Sequence, residues 1–455
     1  MTKARAAILL LLTAISGFSV LWGFALESSA RGIIVDFKVV YYGARCLLQH
    51  RDPYNENELM SVYLAEGGKR PSNPAESERV RQVVALQVYV PTAFLCIAPF
   101  AMLPWWVAHL LWTALTVAAF TLAAFLIWAL AQEHAPGASF YLSCFLLANC
   151  GILFAGGNAA GVAIGLCVVA VWCFLEDKYA FAAVVCLAVS LALKPHDTGL
   201  VWLYFLLAGG TYRKRALQAL ALTVALGLTA IMWVSSVSPY WLHELSANLS
   251  ATSVRGGITD PGPGAIGTGG GSIIDLQTVI SVFRDEPRVY NSITYLICGA
   301  LLIVWMVVTS RARSTRSKDY FGLATIAALS MLPVYHRPYD AKLLLLTLPA
   351  CAMLLAEGGR LGKIGILLNS TAILITSDLP LAMLAVLTKD LNLSTASLPF
   401  KILTVILARP MPIILLALSS FYLWLYKRRC LGNASDFGVS QNDSNLRKSG
   451  QAVPS

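Results

Sequence analysis

Charge is what this sequence lacks most. Of its 455 residues only 13% are Asp, Glu, Lys or Arg, whereas 57% are hydrophobic. Soluble domains carry about 25% charged residues, so a string of water-soluble domains is excluded despite the length. Cysteine is present, ten residues in all, but Cys144, Cys150, Cys167, Cys173 and Cys186 sit alone inside apolar runs. No CxxC or Cys/His spacing occurs, which argues against a zinc motif and against a disulfide framework. There is no GxxxxGK[ST] and no GxGxxG in a strand–turn–helix setting, so the usual nucleotide-phosphate cradles are missing. No internal repeat is visible, and neither a metal nor a cofactor is expected.

What the chain has instead is apolar runs. Thirteen can be counted, roughly at 7–26, 85–103, 106–130, 139–155, 158–175, 179–193, 197–210, 215–236, 288–309, 320–334, 341–357, 363–386 and 401–426. Most approach the ~20 residues that a helix needs to cross a bilayer. In lipid every backbone group must be satisfied within the segment, so these runs predict helices. The net charge of +10 comes from short basic clusters beside the runs: YRKR (212–215), RARSTRSK (311–318) and KRR (427–429). That is the pattern of cytoplasmic loops, and no nucleic-acid partner is expected. The first run follows a basic start and has about twenty apolar residues, longer than the ~7–15 of a signal peptide. Although Ser29-Ala30 mimics a cleavage site, a retained helix with a cytoplasmic N-terminus is expected.

If all thirteen runs crossed, YRKR would fall on the outer side, against the positive-inside trend. One earlier run must then fail to span. Residues 88–104 contain Pro91, Pro99 and Pro104, each lacking an amide donor, and are the expected broken or re-entrant piece. The expected fold is an all-α polytopic membrane protein of about 12 transmembrane helices, with outer loops and juxtamembrane helices. It occupies residues 1–430, and the polar tail 431–455 is expected to be disordered. The outer side then receives 27–84, 156–158, 194–197, the glycine-rich loop 237–287 (a lid or a linker) and 335–340.

Three of those outer stretches concentrate ionisable groups. In VDFKVVYYGARCLLQ (35–49) a helical spacing of ~100° puts Lys38, Arg45 and Gln49 on one face. Asp36 falls opposite them with Val40, Gly43 and Leu47. A carboxylate there is either a helix cap or a matched functional group. In KPHD (194–197), Lys194 either snorkels to the interface or, with His196, binds an anion. In VYHRPYD (334–340), Arg337 offers a fork of donors suited to phosphate. There His336 can donate or exchange a proton, and Asp340 can orient either. A carboxylate and several cations on one membrane face fit a phosphate-bearing substrate anchored in lipid.

The chain resembles glycosyltransferase family 87, integral membrane enzymes of GT-C type. The resemblance is carried by DFKVVYYGARCLLQHRDPY (36–54), VYVPTAFLCIAPFAMLPWW (88–106), FAGGNAAGVAIGL (154–166), LAVSLALKPHDTGLVWLYFLL (187–207) and VYHRPYD (334–340), over roughly residues 30–350. One departure is GGN, where the family often has Gly-Gln-x-Asn. The resemblance implies transfer of a sugar, often mannose, from a polyprenyl-phosphate donor to a lipid or glycan acceptor outside the cytoplasmic (inner) membrane. It also implies an acidic residue of the first outer loop at the active site. Asp36 matches better than Asp52, which belongs to a DPY turn. The expected site has Asp36 as general base and His336 as a second catalytic group. Arg337, Lys194 and His196 are expected on the donor phosphate. Tyr41, Tyr42, Asn158, Tyr335 and Asp340 are expected to bind or orient substrate. A transporter or flippase of a lipid-linked sugar shares the composition, but would favour charges near the midplane and paired repeats.

Overall fold

The computed structural model describes residues 3–29, 36–68, 70–265, 272–312, 315–378 and 397–431. Among these residues every regular element is helical, and no strand is present. The tail 432–455, the glycine-rich stretch 266–271 and the second part of the run 363–386 lie outside them.

After α1 (Lys3–Ser29) come three short helices, α2 (Phe37–Leu48), α3 (Glu56–Ala65) and α4 (Pro74–Val80), then a π-helical turn, Arg81–Ala85. The bundle continues with α5 (Pro91–Ala101), α6 (Trp105–Ala131), α7 (Pro136–Ala148), α8 (Gly151–Gly156) and α9 (Ala159–Leu175). Next are α10 (Ala180–Leu193), α11 (Pro195–Ala208) and α12 (Gly210–Val237). The long polar loop is partly helical, with α13 (Trp241–Thr252) and α14 (Gln277–Phe283). The chain then forms α15 (Pro287–Arg311), α16 (Arg316–Leu329), a 3-10 helix at Asp340–Thr347, α17 (Leu348–Glu357) and α18 (Gly359–Ile375). Leu398–Ala408 and Pro410–Leu431 are the last described helices.

Among the described residues five helices are long and apolar enough to cross a membrane: Lys3–Leu26, Trp105–Ala131, Gly210–Val237, Pro287–Arg311 and Pro410–Cys430. This makes the chain a helical membrane protein; the expected count of about twelve crossings is not established by length and composition. Several runs are shorter or broken. The run at 139–155 divides at Asn149–Cys150 into α7 and α8, the run at 401–426 divides at Arg409, and the run at 341–357 begins as a 3-10 helix. Helix α5 has only 11 residues, about 16 Å, against a hydrocarbon core of ~30 Å. Helices α7, α10 and α11 are nearly as short, at 13, 14 and 14 residues, so length does not single out the proline-rich run as the one that fails to span.

Connectivity decides which loops meet. Helices α9 and α10 pack as an antiparallel pair, so the start of α9 (Asn158) and the end of α10 (Lys194) share one end of the bundle. The start of α11 and the chain leaving α16 come to that same end. At the opposite helix ends Arg215 pairs with Asp177 and Arg316 with Glu176.

A second layer of apolar and aromatic residues caps the site end. Phe37, Tyr41, Tyr42, Tyr54, Phe94 and Trp112 are all buried there. Phe37 stacks on Trp112 at 5.2 Å and 9° between planes. Burying one such ring contributes about 1.5–3 kcal/mol, which anchors α2 and with it the residue just before, Asp36.

Candidate active site

Asn158 organises one half of the site. Gly157 closes α8 in the left-handed region, at φ 61°, a conformation that costs a side-chain-bearing residue energy. A Cβ on Gly157 would also stand 3.0 Å from Phe37 Cβ. The Gly157 carbonyl accepts from Trp112 Nε1 at 2.8 Å, which fixes the turn. Asn158 then caps α9, its Oδ1 accepting from the Ala160 amide at 2.8 Å. That bond determines the amide orientation, and Nδ2 donates to Asp36 Oδ2 at 2.8 Å. Asp36 precedes α2 but its carboxylate makes no capping hydrogen bond. The helix-cap reading of Asp36 therefore fails, and its partner is a side chain 122 positions away.

Lys194 is the hub. Pro195 opens α11 immediately after α10 ends, so the chain breaks at Lys194 and its buried ammonium points inward. Nζ lies 3.4 Å from Asn158 Oδ1 and 3.2 Å from Asp197 Oδ2, and donates to Asp340 Oδ1. It also sits 5.2 Å from the centre of the Tyr339 ring. Burial alone would lower its pKa, but Asp197 and Asp340 outweigh it and the net shift is upward. The snorkelling expectation does not hold, because Lys194 is a buried ion-pair centre rather than an interfacial tether.

VYHRPYD is a half-buried connection, with His336, Pro338 and Asp340 buried and Val334 at the surface. Asp340 Oδ2 accepts from the Arg337 amide at 2.7 Å while the Asp340 amide donates to the Arg337 carbonyl at 2.9 Å, cinching the turn. Burial and the neighbouring Asp197 carboxylate push Asp340 up to about 6, against the pull of Lys194. The His336 side chain is fully buried, with Nδ1 2.9 Å from the Val334 carbonyl and Nε2 3.3 Å from Asp197 Oδ1. Burial would lower the imidazole, but the contact with Asp197 and the charge of Asp340 raise it overall. His196 has a partly exposed ring, and its Nε2 lies 3.4 Å from the same Asp197 oxygen.

Arg337 reaches toward the polar loop. Nε donates to the Tyr335 hydroxyl at 2.6 Å, Nη2 to the Ile258 carbonyl at 2.7 Å, and Nη1 to Ser272 Oγ. The loop is also pinned by backbone bonds, Ile274 N to His336 O and Leu276 N to Leu332 O, both 3.0 Å.

Of the expected residues, Asp36, Asn158, Lys194, His196, His336 and Asp340 thus form one connected set, with Arg337 and Tyr335 adjoining it through the Asp340 turn. Tyr41 and Tyr42 do not join. Both are buried in the aromatic layer, where the Tyr41 hydroxyl donates to the Leu103 carbonyl at 2.7 Å and Tyr42 packs edge-on to Tyr63 at 5.3 Å. They support α2 rather than face the polar set. Asp197 was missed by the sequence reading, which weighed the cations of KPHD and passed over its carboxylate. The available signal was its position in the first turn of a helix starting at Pro195, beside a lysine at i−3. Tyr89, in the electrostatic field of Asp36, Lys194 and Asp340, was likewise not singled out.

The fold is an all-helical membrane bundle that gathers carboxylates, cations and histidines at one end. Residues 88–335 match the model of Glycosyltransferase family 87. The match covers more than half of the chain, which belongs to that family and is a membrane glycosyltransferase. Asn158, Lys194, His196, Asp197 and Tyr335 lie inside the matched region, whereas Asp36, His336, Arg337 and Asp340 lie outside it. No curated protein and no solved structure matches the chain.

Proposed function

We propose that the chain transfers a sugar, mannose in the first instance, from a polyprenyl-phosphate donor to a lipid or glycan acceptor on the outer side of the cytoplasmic membrane. The observation that carries this reading is the Asp36 carboxylate, held by Asn158 and excluded from helix capping. Asp36 takes the proton of the acceptor hydroxyl as general base. The acceptor oxygen bonds to the anomeric carbon as the bond from that carbon to the phosphate oxygen breaks. Polyprenyl phosphate leaves as the anion, and single displacement inverts the anomeric centre.

Charge on the departing phosphate falls to the cation side of the set. The three side-chain nitrogens of Arg337 donate to neutral oxygens. Exchanging such acceptors for a phosphate strengthens the hydrogen bonds. Lys194 is engaged by two carboxylates and contributes a fixed positive charge that holds Asp340 and Asn158. His196 and His336, brought together by Asp197, complete the phosphate side.

Incubating the purified chain in lipid nanodiscs with labelled polyprenyl-phosphate mannose and an envelope lipid extract tests the reading. Label should move to a new lipid or glycan product, and nucleotide-linked mannose should not substitute. Donor that crosses a bilayer unchanged, with no product formed, would replace a transferase with a flippase.

A further inference from the structure

His196, Asp197 and His336 come from two separated segments, yet their ligand atoms all lie within 4.8 Å of one another. Asp197 Oδ1 is 3.3 Å from His336 Nε2 and 3.4 Å from His196 Nε2. Ligands about 2.0–2.1 Å from a tetrahedral zinc ion stand roughly 3.3 Å from each other. The two separations from Asp197 match that spacing, and the two imidazoles, within 4.8 Å of each other, need only close on the ion. The separations leave the contact between Asp197 and His336 without a good hydrogen bond: His336 Nε2 and Asp197 Oδ1 are both buried with no hydrogen-bond partner among the described residues.

The reason lies in the tautomer. His336 Nδ1 faces the Val334 carbonyl at 2.9 Å, and a carbonyl oxygen can only accept, so Nδ1 carries the proton. Nε2 then faces the Asp197 carboxylate oxygen, a gap that either a second proton or a bound cation fills. Metal-bound histidines are held in this way, one nitrogen donating to a carbonyl and the other facing the ion. The charge balance points in the same direction. One ammonium, Lys194, serves two buried carboxylates, Asp197 and Asp340, and a second cation would relieve the excess negative charge.

We infer that His196, Asp197 and His336 bind a divalent transition-metal ion, zinc by the two-imidazole, one-carboxylate donor set. Three protein ligands leave a fourth position for water or an anionic oxygen, on the side where the His196 ring is 44% exposed. The site stands on coordination geometry, independent of which sugar or donor is used, and is tested without substrate.

The full chain, purified through an affinity tag free of histidine, is stripped with chelator and repleted with zinc or cobalt(II). Elemental analysis after gel filtration should give about one zinc per chain. Cobalt(II) should give visible bands without the thiolate charge-transfer absorption that binding to any of the ten cysteines would produce. His336→Ala and Asp197→Asn should lose the ion. His196→Ala, altering a partly exposed ring and sparing the fold, should weaken zinc binding at least ~10-fold. No bound ion in the repleted wild type would overturn the assignment, leaving a proton shared between His336 and Asp197 in its place. Undiminished zinc in a folded His196→Ala variant would overturn it as well.

Discussion

Arg337 donates through a planar fork to Tyr335, Ser272 and Ile258. A phosphate can engage that fork bidentately, whereas lysine supplies only a point charge. Losing a charge-assisted bond costs roughly 1.5–3 kcal/mol. Arg337→Ala is therefore expected to lower kcat/KM for the donor about 10- to 100-fold, with Arg337→Lys in between; equal donor efficiencies would remove Arg337 from the phosphate site. Asn158 tests the other half. Asp caps a helix about as well as Asn, so the α9 cap itself should survive Asn158→Asp. Its new carboxylate would face Asp36 where an amide now donates at 2.8 Å, and transfer should fall about 10- to 100-fold. Unaltered turnover would mean that Asn158 serves α9 alone. At this scale the polar clusters were legible, because ionisable residues stand out among apolar runs and helical spacing put Asp36 on the face that is now buried. Their pairings were not. Lys194 reads in the sequence as an available cation, and only the meeting of the α11 start with the chain leaving α16 puts two carboxylates, Asp197 and Asp340, on it.

Among the elements, the short segment α8–Gly157–α9 bears most directly on the site. Gly157→Ala would force a side chain into the left-handed region, at a cost of roughly 1–2 kcal/mol, with a Cβ 3.0 Å from Phe37 Cβ. The expected outcome is a lower unfolding temperature in detergent and weaker transfer, since Asn158 and Phe37 would both shift; a wild-type melting curve would contradict this. Helices such as α6, α12 and α15 were readable to within a few residues, because each is one uninterrupted apolar run of crossing length. The break in the run at 139–155 was not readable, whereas that in 401–426 is marked by Arg409-Pro410 and was passed over. An apolar run looks the same whether its helix continues or is interrupted, and the run at 139–155 carries no proline at its break to mark it. Proline did mark α5, an 11-residue helix that opens at Pro91 and contains Pro99, with Pro104 between its end and α6.

For the whole molecule, basic clusters at one set of helix ends and the polar site at the other predict sidedness. Val334 and Tyr240 are 40% and 78% exposed, near the site end, and Tyr179 is 71% exposed at the opposite ends. Cysteines introduced at Val334 and Tyr240, in a background without reactive native thiols, should react with an impermeant maleimide in intact cells. A cysteine at Tyr179 should react only after permeabilisation, and the reverse pattern would invert the topology. The central claim is that this bundle moves sugar with Asp36 as the base. Its most direct test is single-turnover transfer from polyprenyl-phosphate mannose by wild type and Asp36→Asn, purified and placed in identical nanodiscs. Asn keeps the shape of the side chain but cannot take the acceptor proton, so transfer should drop by at least ~10²-fold with the melting temperature unchanged. Near wild-type transfer by the well-folded Asp36→Asn chain would contradict the account.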